Sequence, residues 1–381
     1  MQNFNFNNPV KIIFGKGTIE KLGPEAAKAG KKALFVYGGG SIKKNGVYEA
    51  VLKTLKENGI TAVEHPGVKP NPVLSHVREG VKKAKAEKCG LVIAAGGGSV
   101  IDESKAIAAG ALYAGDVWDF FTRKARAQEA LPIFTVLTLP ATGSEMNNGC
   151  VVTNEETKQK YTTGEPALFP KVSILDPEVT MSLPPAQVAN GAVDAIAHLI
   201  EGYFTTPDPD NAVTDELVHA LSRSVIASTE RILKDPKDYN ARASMMWSAT
   251  LALNGLASCG YGRMSFINHA IEHSLSAIYD IAHGAGLAIV MPAWFKHYLA
   301  NGGEQRLAKY GKAVFGSKDA QETIRDFEAF FRKAGAPVRL SEAGIPAGDI
   351  PAIAENAMGL IAMWGIKADK PEVEEILSGA K

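Results

Sequence analysis

The pattern of apolar residues changes once along this chain of 381 residues, and that change restricts the folds the chain can adopt. Up to residue 184, short apolar runs that end in Gly, Pro or Asp alternate with longer, charged segments of helical periodicity. The apolar runs lie at 11–14, 33–37, 91–95, 133–137 and 172–175, and the helical segments include 47–58 and 75–88. Alternation of this kind predicts an α/β fold with a mainly parallel sheet.

After Leu183-Pro184-Pro185, amphipathic segments rich in Ala and Leu continue to the C-terminus without strand-like alternation. We therefore predict two domains, an α/β domain over residues 1–184 and an all-helical domain over residues 185–381. The length agrees with this division, because single hydrophobic cores rarely grow beyond roughly 250–300 residues.

The composition excludes several classes of partner. Lys plus Arg and Asp plus Glu number 41 each, so the chain has no general basic field that would recruit nucleic acid. The apolar runs are shorter than the ~20 residues that span a bilayer. The three cysteines, Cys89, Cys150 and Cys259, are too few and too widely spaced for a disulfide framework or a cysteine metal site. The N-terminus lacks the pattern of a secretory signal, so we expect a cytoplasmic protein without nucleic-acid or membrane partners.

Two glycine triples follow predicted strands. Gly96-Gly97-Gly98-Ser99 follows the 91–95 run and precedes a helical segment, and Gly38-Gly39-Gly40-Ser41 follows the 33–37 run. Glycines let the backbone approach a ligand, and the N–H groups at a helix start attract phosphate. Neither triple is the GxGxxG fingerprint, and a plain strand–helix turn is the alternative. Two such turns on one sheet predict a site for the two ends of a dinucleotide.

The residues after the 33–37 run bear on the choice of dinucleotide. NAD sites commonly place a carboxylate there to bind the ribose hydroxyls. Here Ser41 is followed by Lys43 and Lys44, and no carboxylate would repel a 2′-phosphate. The segment therefore favours NADP, although solvated lysines are the alternative.

Histidines and one aspartate recur at helical spacing in the second domain. Asp194 and His198 are four residues apart, as are His269 and His273, and each pair projects from one helix face. His283 lies 14 residues after His269, about 21 Å along an unbroken helix, so the chain must turn before it to share a metal. From spacing alone, either His269 or His273 can be the third ligand. Such donors suit Fe²⁺, Zn²⁺, Mn²⁺ or Ni²⁺ in a catalytic site, and the alternative is a helical bundle with scattered histidines or a structural zinc.

Taken together, these motifs resemble those of the iron-containing (metal-dependent, group III) alcohol dehydrogenases over essentially the full length. The matching segments are Gly96-Gly97-Gly98-Ser99-x2-Asp102-x2-Lys105, 139–145, 183–185, Asp194-x3-His198 and His269-x3-His273-x9-His283-Gly284. Within the family, the chain is most similar to the NADPH-dependent butanol dehydrogenase and aldehyde reductase branch, which shares Tyr37-Gly38-Gly39-Gly40-Ser41 and Lys43-Lys44.

The resemblance implies a Rossmann-like α/β domain, a helical metal-binding domain of the dehydroquinate synthase-like fold, an active site in the interdomain cleft and a homodimer. It implies that Asp194, His198, His269 and His283 ligate the metal, whereas His273 lies beside the nicotinamide and can carry a proton. The implied cofactor residues are Gly39, Gly40, Ser41, Asn71, Gly97, Gly98, Ser99, Asp102, Thr138, Leu139, Thr142 and Lys160. Many members have Val-Thr where this chain has Met146-Asn147, and we expect Asn147 to face the substrate.

The implied activity is hydride transfer between NADP(H) and a primary alcohol or aldehyde, with the metal, Fe²⁺ or Zn²⁺ ahead of Mn²⁺ or Ni²⁺, as Lewis acid. Two enzymatic alternatives use the same scaffold, a polyol (glycerol-type) dehydrogenase and a dehydroquinate synthase-like lyase. The non-enzymatic alternative is a nucleotide-binding protein whose metal is structural.

Overall fold

The computed structural model describes the whole chain, Met1–Lys381, which divides into two compact units. One unit is Asn7–Leu183, and the other is Pro184–Lys381 together with Met1–Phe6. The first six residues thus belong to the helical unit, although we predicted them in the α/β domain. The amino group of Met1 pairs with the Asp208 carboxylate at 2.7 Å, a contact that apolar periodicity could not predict.

The α/β unit contains a six-stranded parallel sheet with the strand order β1-β8-β5-β4-β2-β3. Its strands are β1 (Lys11–Phe14), β2 (Lys32–Gly38), β3 (Thr61–Val68), β4 (Leu91–Gly97), β5 (Ile133–Leu139) and β8 (Val172–Leu175). A separate antiparallel hairpin consists of β6 (Gly149–Asn154) and β7 (Gln159–Gly164). The helices are α1 (Leu22–Ala26), α2 (Ser41–Lys44), α3 (Val47–Glu57), α4 (Leu74–Ala86), α5 (Gly98–Leu112) and α6 (Trp118–Phe121).

The predicted fold class is confirmed for this unit, including the mainly parallel sheet. All five apolar runs form strands, and the central strands are buried along nearly their whole length, as expected for a parallel sheet. Neither β3 nor the β6–β7 hairpin was predicted from the apolar runs. Strand β3 contains Glu64, His65, Pro66 and Gly67, which a sheet tolerates because β3 is an edge strand with β2 as its only neighbour.

The order of the strands reverses between β2 and β4. The chain passes from β2 outward to β3, whereas from β4 it passes to β5 on the opposite side. Ligands of open parallel sheets bind at the carboxyl ends of the strands that flank such a reversal. Both glycine triples lie at these two strand ends, so the topology places them where a dinucleotide is expected.

The second unit is entirely helical in its regular structure, and this prediction is also confirmed. Its helices are α7 (Pro185–Thr205), α8 (Ala212–Lys234), α9 (Tyr239–Ala252), α10 (Ile267–Tyr279), α11 (His283–Ala300), α12 (Glu304–Val314), α13 (Ala320–Ala334), α14 (Ile350–Trp364) and α15 (Lys370–Ser378). The expected turn before His283 is present: α10 ends at Tyr279, Asp280 adopts a left-handed φ of 53°, and α11 begins at His283. None of the helices combines the length and apolar character needed to cross a membrane.

Candidate metal centre and dinucleotide site

Helix α7 supplies two of the predicted ligands from one buried face. Asp194 is 2% exposed and His198 is 8% exposed, and apolar residues surround them along the helix. The four-residue spacing puts both side chains on the same side of the helix. Oδ1 of Asp194 and Nε2 of His198 are 3.5 Å apart.

Helices α10 and α11 bring the other two predicted ligands to the same carboxylate oxygen. Nε2 of His269 lies 3.8 Å from Oδ1 of Asp194, and Nε2 of His283 lies 3.5 Å from it. The turn at Asp280 makes this convergence feasible, because it ends α10 and lets His283 start a new helix. The four residues thus come together from three helices.

The three distances from Oδ1 of Asp194 to the imidazoles are compatible with a tetrahedral metal site. Donors about 2.1 Å from a metal in tetrahedral geometry are separated by roughly 3.4 Å, close to the distances from Asp194 to the three imidazoles. Both Oδ1 of Asp194 and Nε2 of His269 are buried without a hydrogen-bond partner in the protein. Buried polar atoms are rarely left in that state, so a cation that binds all four donors accounts for the arrangement.

The electrostatics of the cluster favour cation binding. Burial disfavours the charged form of Asp194, but the histidines around it, His198 first, lower its pKa to about 2. Burial lowers the pKa of His198 to about 4, so its ring is neutral at physiological pH. At His269 burial acts in the same direction, but the nearby Asp194 carboxylate and the hydrogen bond to Glu201 raise the pKa to about 9. A divalent cation would replace the proton that this ring otherwise holds between two carboxylates.

His273 has a different position from the four converging residues. It is 5% exposed and lies one helical turn after His269 on α10. Its ring packs edge-on against the ring of His283, with centroids 5.5 Å apart, and against Trp364 at 5.7 Å. Thus, of the two histidines that spacing left as alternatives, His269 is the one whose Nε2 faces Asp194.

Sequence reasoning missed two residues of this cluster, Glu201 and Glu272. Both carboxylates are fully buried, and each contacts Nδ1 of one converging histidine, Glu201 that of His269 and Glu272 that of His283. A signal was available: Glu201 lies on the Asp194 face of an apolar helix, seven residues later, and Glu272 directly precedes His273.

In the α/β unit, the Gly96–Ser99 segment forms the predicted tight turn between β4 and α5. Helix α5 begins at Gly98 with no side-chain cap, so the N–H groups of its first turn are available to an anion. A Cβ on Gly98 would lie 2.4 Å from the side chain of Thr142, so only glycine fits beside this predicted cofactor residue. The carboxyl end of β5, with Thr138 and Leu139, is next to this turn, because Gly97 pairs with Leu139.

Charged residues of α5 anchor the segment that follows β5. Asp102 accepts hydrogen bonds from the Ser144 hydroxyl at 2.6 Å and from the backbone N–H of Val151 at 3.1 Å. Lys105, which is fully buried, donates to Ser144 at 2.8 Å and to the carbonyls of Asn147 and Gly149 at 2.9 and 2.7 Å. Burial raises the pKa of Asp102 and lowers that of Lys105 to about 8.

Asn147, the predicted substrate residue, uses both ends of its amide within the protein. Its Oδ1 accepts from the backbone N–H of Gly149 at 2.9 Å, and its Nδ2 donates to the carbonyl of Gly143 at 2.9 Å. The side chain therefore holds the turn after Thr142 in shape. Contact with substrate stays a prediction for this residue.

Two further predicted cofactor residues lie together. Nζ of Lys160 donates to Oδ1 of Asn71 at 2.9 Å, and both side chains are buried. Asn71 adopts a left-handed φ of 54°, which asparagine tolerates better than most residues. Lys160 lies on the β6–β7 hairpin, so this contact connects the hairpin to the loop after β3.

The second glycine triple also lies where the sequence predicted it. Gly40 has a left-handed φ of 110°, and a Cβ on Gly39 or Gly40 would meet no atom within 4 Å, so this turn is open to a ligand. Ser41 and Lys44 are exposed. Lys43 is exposed as well, and its Nζ lies over the rings of Tyr48 and Tyr37, 4.6 and 5.3 Å from their centroids.

Glu64, on the neighbouring strand β3, is a carboxylate near the end of β2 that the sequence did not reveal. Its Oε1 accepts from the Tyr48 hydroxyl at 2.9 Å, and Oε2 accepts from the Tyr37 hydroxyl. The hydrogen bond from Tyr37 and the charge of Lys43 contribute to lowering the pKa of Glu64. The carboxylate therefore already accepts hydrogen bonds from two phenols and lies in the field of the Lys43 charge.

Another cluster of potential metal donors, His65, His76 and Glu103, lies in the α/β unit and was not predicted. Nδ1 of His76 is 2.6 Å from Oε1 of Glu103, and its Nε2 is 3.1 Å from the carbonyl of Pro66. Because both ring nitrogens face acceptors, these contacts favour the doubly protonated form of His76, and the hydrogen bond to Glu103 raises its pKa. We therefore interpret this cluster as an ion pair between α4 and α5 and not as a metal site.

Comparison with known protein families gave two matches that together cover nearly the whole chain. Residues 9–177 match the model described as iron-containing alcohol dehydrogenase. Residues 188–380 match the model of the C-terminal domain of the Fe-containing alcohol dehydrogenase family.

Individual relatives are similar over at least nine tenths of their length. The chain is 43% identical to a protein of Bacillus subtilis named probable NADH-dependent butanol dehydrogenase 1, with 100% of both chains covered. It is 38% identical to the NADPH-dependent aldehyde reductase YqhD of Escherichia coli, with 93% of this chain and 92% of the relative covered. The crystal structure of NADH-dependent butanol dehydrogenase A from Thermotoga maritima superposes with a TM-score of 0.95 at 49% identity, covering 100% of this chain and 99% of that one.

Proposed function

Since this chain belongs to the iron-containing alcohol dehydrogenase family, in its butanol dehydrogenase branch, we propose that it is a metal-dependent, NADP(H)-linked enzyme that interconverts primary alcohols and aldehydes. Alcohol dehydrogenase or aldehyde reductase activity follows from membership of the family. The dinucleotide, the metal and the substrate are the proposed part. The convergence of three imidazoles on Asp194 Oδ1 is the observation that carries the proposal.

In this proposal, Asp194, His198, His269 and His283 hold a divalent ion, with Fe²⁺ or Zn²⁺ preferred and Mn²⁺ or Ni²⁺ as further candidates. Bound there, the ion supplies a Lewis acid that polarises an aldehyde carbonyl or acidifies an alcohol hydroxyl, and the nicotinamide supplies or accepts the hydride. The protein contributes the geometry: Asp194, His198 and His269 are buried, which limits the access of bulk water and strengthens their interaction with charge, whereas the His283 side chain is 22% exposed.

The dinucleotide residues are proposed in the α/β unit. The first-turn N–H groups of α5, at Gly98 and Ser99, are suited to the pyrophosphate because they are uncapped and lie at the positive end of the helix dipole. Gly97 and Asp102 of the same turn, Thr138 and Leu139 at the end of β5, and Thr142, Asn71 and Lys160 are proposed as its further contacts. Homodimer formation and a cytoplasmic location stay predictions.

The preference for NADP(H) rests on the turn after β2. No carboxylate follows that strand, and Gly39 and Gly40 leave open space beside the exposed Ser41. The nearby Glu64 is engaged by two tyrosine hydroxyls and offset by Lys43, so its repulsion of a 2′-phosphate is reduced. The relatives named above include both NADH-linked and NADPH-linked enzymes, so steady-state kinetics must decide.

Removal of the metal tests the proposed function. We expect chelation to lower the turnover of a short aldehyde such as butanal by at least about 100-fold, because a Lewis acid contributes several kcal/mol and each ~1.4 kcal/mol is a factor of ten. Activity should return on addition of Fe²⁺ under anaerobic conditions or of Zn²⁺. Turnover is measured on protein of known metal content, with circular dichroism of the same samples as the control. Full turnover by folded, metal-free protein would contradict the proposal, and outright unfolding would favour a structural metal.

The reloaded enzyme also tests the dinucleotide and the substrate. With NADPH and NADH compared on butanal, butanol and glycerol, we expect the higher kcat/KM with NADPH and with the aldehyde or primary alcohol. A clear preference for NADH would contradict the role given to the Ser41 turn. Higher kcat/KM on glycerol would favour the polyol alternative.

His273 is proposed to carry the proton between the reacting oxygen and water, because its ring is buried against that of His283. General acid–base catalysis typically contributes about 10²–10⁴-fold, and water can replace part of it, so we expect His273→Ala to lower kcat for alcohol oxidation by about 10-fold or more at neutral pH. The pH profile of kcat should also lose an inflection. His297→Ala, in the same unit, is the control. An unchanged profile in His273→Ala would end the proton-carrier proposal.

A further inference from the structure

Two buried glutamates lie behind the four converging donors and have no role in the function proposed so far. Glu201 on α7 and Glu272 on α10 are both 0% exposed. Burying a carboxylate in an apolar environment is strongly unfavourable unless charges or hydrogen bonds compensate it. Each of these carboxylates therefore requires a hydrogen-bond or charge partner that compensates the cost of its burial.

The partner of Glu201 is His269. Oε1 of Glu201 accepts two hydrogen bonds from this one residue, from the ring Nδ1–H and from the backbone N–H, both at 3.0 Å. With Nδ1 protonated by this contact, the neutral ring has its lone pair on Nε2, the atom that faces Asp194. Glu201 thus determines both the orientation of the ring and its tautomer.

The partner of Glu272 is His283, across the junction of α10 and α11. Oε2 of Glu272 contacts Nδ1 of His283, and Oε1 accepts from the hydroxyl of Ser276 one turn later on α10. A Cβ on Gly286 would lie 2.6 Å from Oε1, so a glycine at this position of α11 makes room for the carboxylate. Nε2 of His283 is again the atom that faces Asp194.

His198 differs from these two histidines. Its Nδ1 is buried and has no hydrogen-bond partner in the protein. A glutamate carboxylate therefore contacts Nδ1 of two of the three imidazoles, those on α10 and α11. His198 lies on the same helix as Asp194, and the i,i+4 spacing alone places its ring beside that carboxylate.

We propose that Glu201 and Glu272 are positioning residues that set the affinity of the four-donor site for a divalent cation. Each fixes one imidazole in the Nε2-coordinating tautomer and makes it a more basic ligand. Together with Asp194 they place three buried carboxylates at the site, and a divalent cation offsets two of these charges. The inference rests on the metal site of the proposed function and extends it to residues that do not touch the metal.

The test is metal affinity and not turnover. Zinc-loaded, full-length Glu201→Gln and Glu272→Gln are titrated with a chromogenic chelator, and the dissociation constant for Zn²⁺ is obtained from the competition. We expect each variant to bind Zn²⁺ about 10–100-fold more weakly than the unmodified protein, the usual effect of losing such a contact. Gln keeps the size of the side chain but removes its charge.

A matched control exists in the same unit. Glu216 on α8 contacts Nδ1 of His219 at 3.3 Å, as Glu201 contacts His269, but its side chain is 71% exposed and neither residue belongs to the metal cluster. Glu216→Gln should leave the affinity for Zn²⁺ within about two-fold. An equal loss in this control would mean that the effect is not specific to the site.

The outcomes separate this inference from the function on which it rests. If the unmodified protein does not retain Zn²⁺ or Fe²⁺, the proposed metal site fails. If it retains the metal and both folded glutamine variants bind it equally well, only the positioning role is overturned. If a glutamine variant does not fold, Ser276→Ala and Glu201→Asp replace it. Each should weaken Zn²⁺ binding several-fold, and unchanged affinity in the folded replacement overturns the role of its glutamate.

Discussion

Asp194→Asn is expected to lower kcat/KM for a short aldehyde by at least about 1000-fold and to leave the purified protein with little bound metal. Asp194 supplies the only negative charge among the four proposed ligands, and its Oδ1 is the atom on which the three imidazoles converge. Asparagine has nearly the same shape but no charge. In this variant, the free-energy cost of moving a divalent cation from water into the buried site would be offset by the negative charges of Glu201 and Glu272 alone. These two carboxylates contact the histidines and not the proposed metal position.

Metal content and kcat/KM are measured on the same preparation of Asp194→Asn. The control is Asp210→Asn, which removes an exposed carboxylate from the same unit and should leave both quantities unchanged. The variant should also remain helical, because it loses a buried charge and keeps its side-chain volume. Asp194→Asn protein with a full complement of metal and normal turnover would show that the metal lies elsewhere.

Gly284→Ala is expected to lower the free energy of unfolding by about 1–3 kcal/mol or more and to impair metal binding as well. A Cβ at Gly284 would lie 2.1 Å from the carbonyl oxygen of Asn190 and 2.6 Å from its carbonyl carbon and Cα. These are backbone atoms of α7, which cannot rotate away as a side chain can. Asn190 is one turn before Asp194, and Gly284 directly follows His283, so the clash separates the helices that carry these two proposed ligands.

Chemical denaturation of Gly284→Ala gives the change in stability, and metal analysis gives the loss of binding. Gly348→Ala is the matched control, because a Cβ there meets no atom within 4 Å and the backbone needs no left-handed φ. It should be as stable as the unmodified protein. If Gly284→Ala has the same stability and metal content as this control, the predicted clash between position 284 on α11 and the Asn190 backbone on α7 does not occur.

Much of the fold could be predicted from local sequence patterns. The central strands are apolar runs ended by Gly, Pro or Asp, and α3 and α4 begin and end within two residues of the predicted segments. Strand β3 could not be predicted in this way. Its polar residues and Pro66 fit an edge position, and which strand lies at the edge depends on the order of the whole sheet.

In the candidate site, too, some features could be predicted from local sequence patterns and others could not. Spacing places Asp194 and His198 on one face, because a four-residue separation is a property of a single helix. Spacing could not choose between His269 and His273, which lie on the same face of α10. The resemblance to a family favoured His269, and the packing of α10 against α7 turns Nε2 of that residue toward Asp194.

The amino-acid sequence alone specified the two-part architecture, the glycine turns and the residue types of the metal cluster, because all of these are encoded by periodicity and composition within short segments. Only the tertiary structure decided which carboxylate lies behind which imidazole. Glu201 is 68 residues from His269, and Glu272 is 11 residues from His283 across a helix end, so both contacts depend on how α7, α10 and α11 pack. Hydrogen bonds between helices follow from packing over the whole unit, which no local pattern contains.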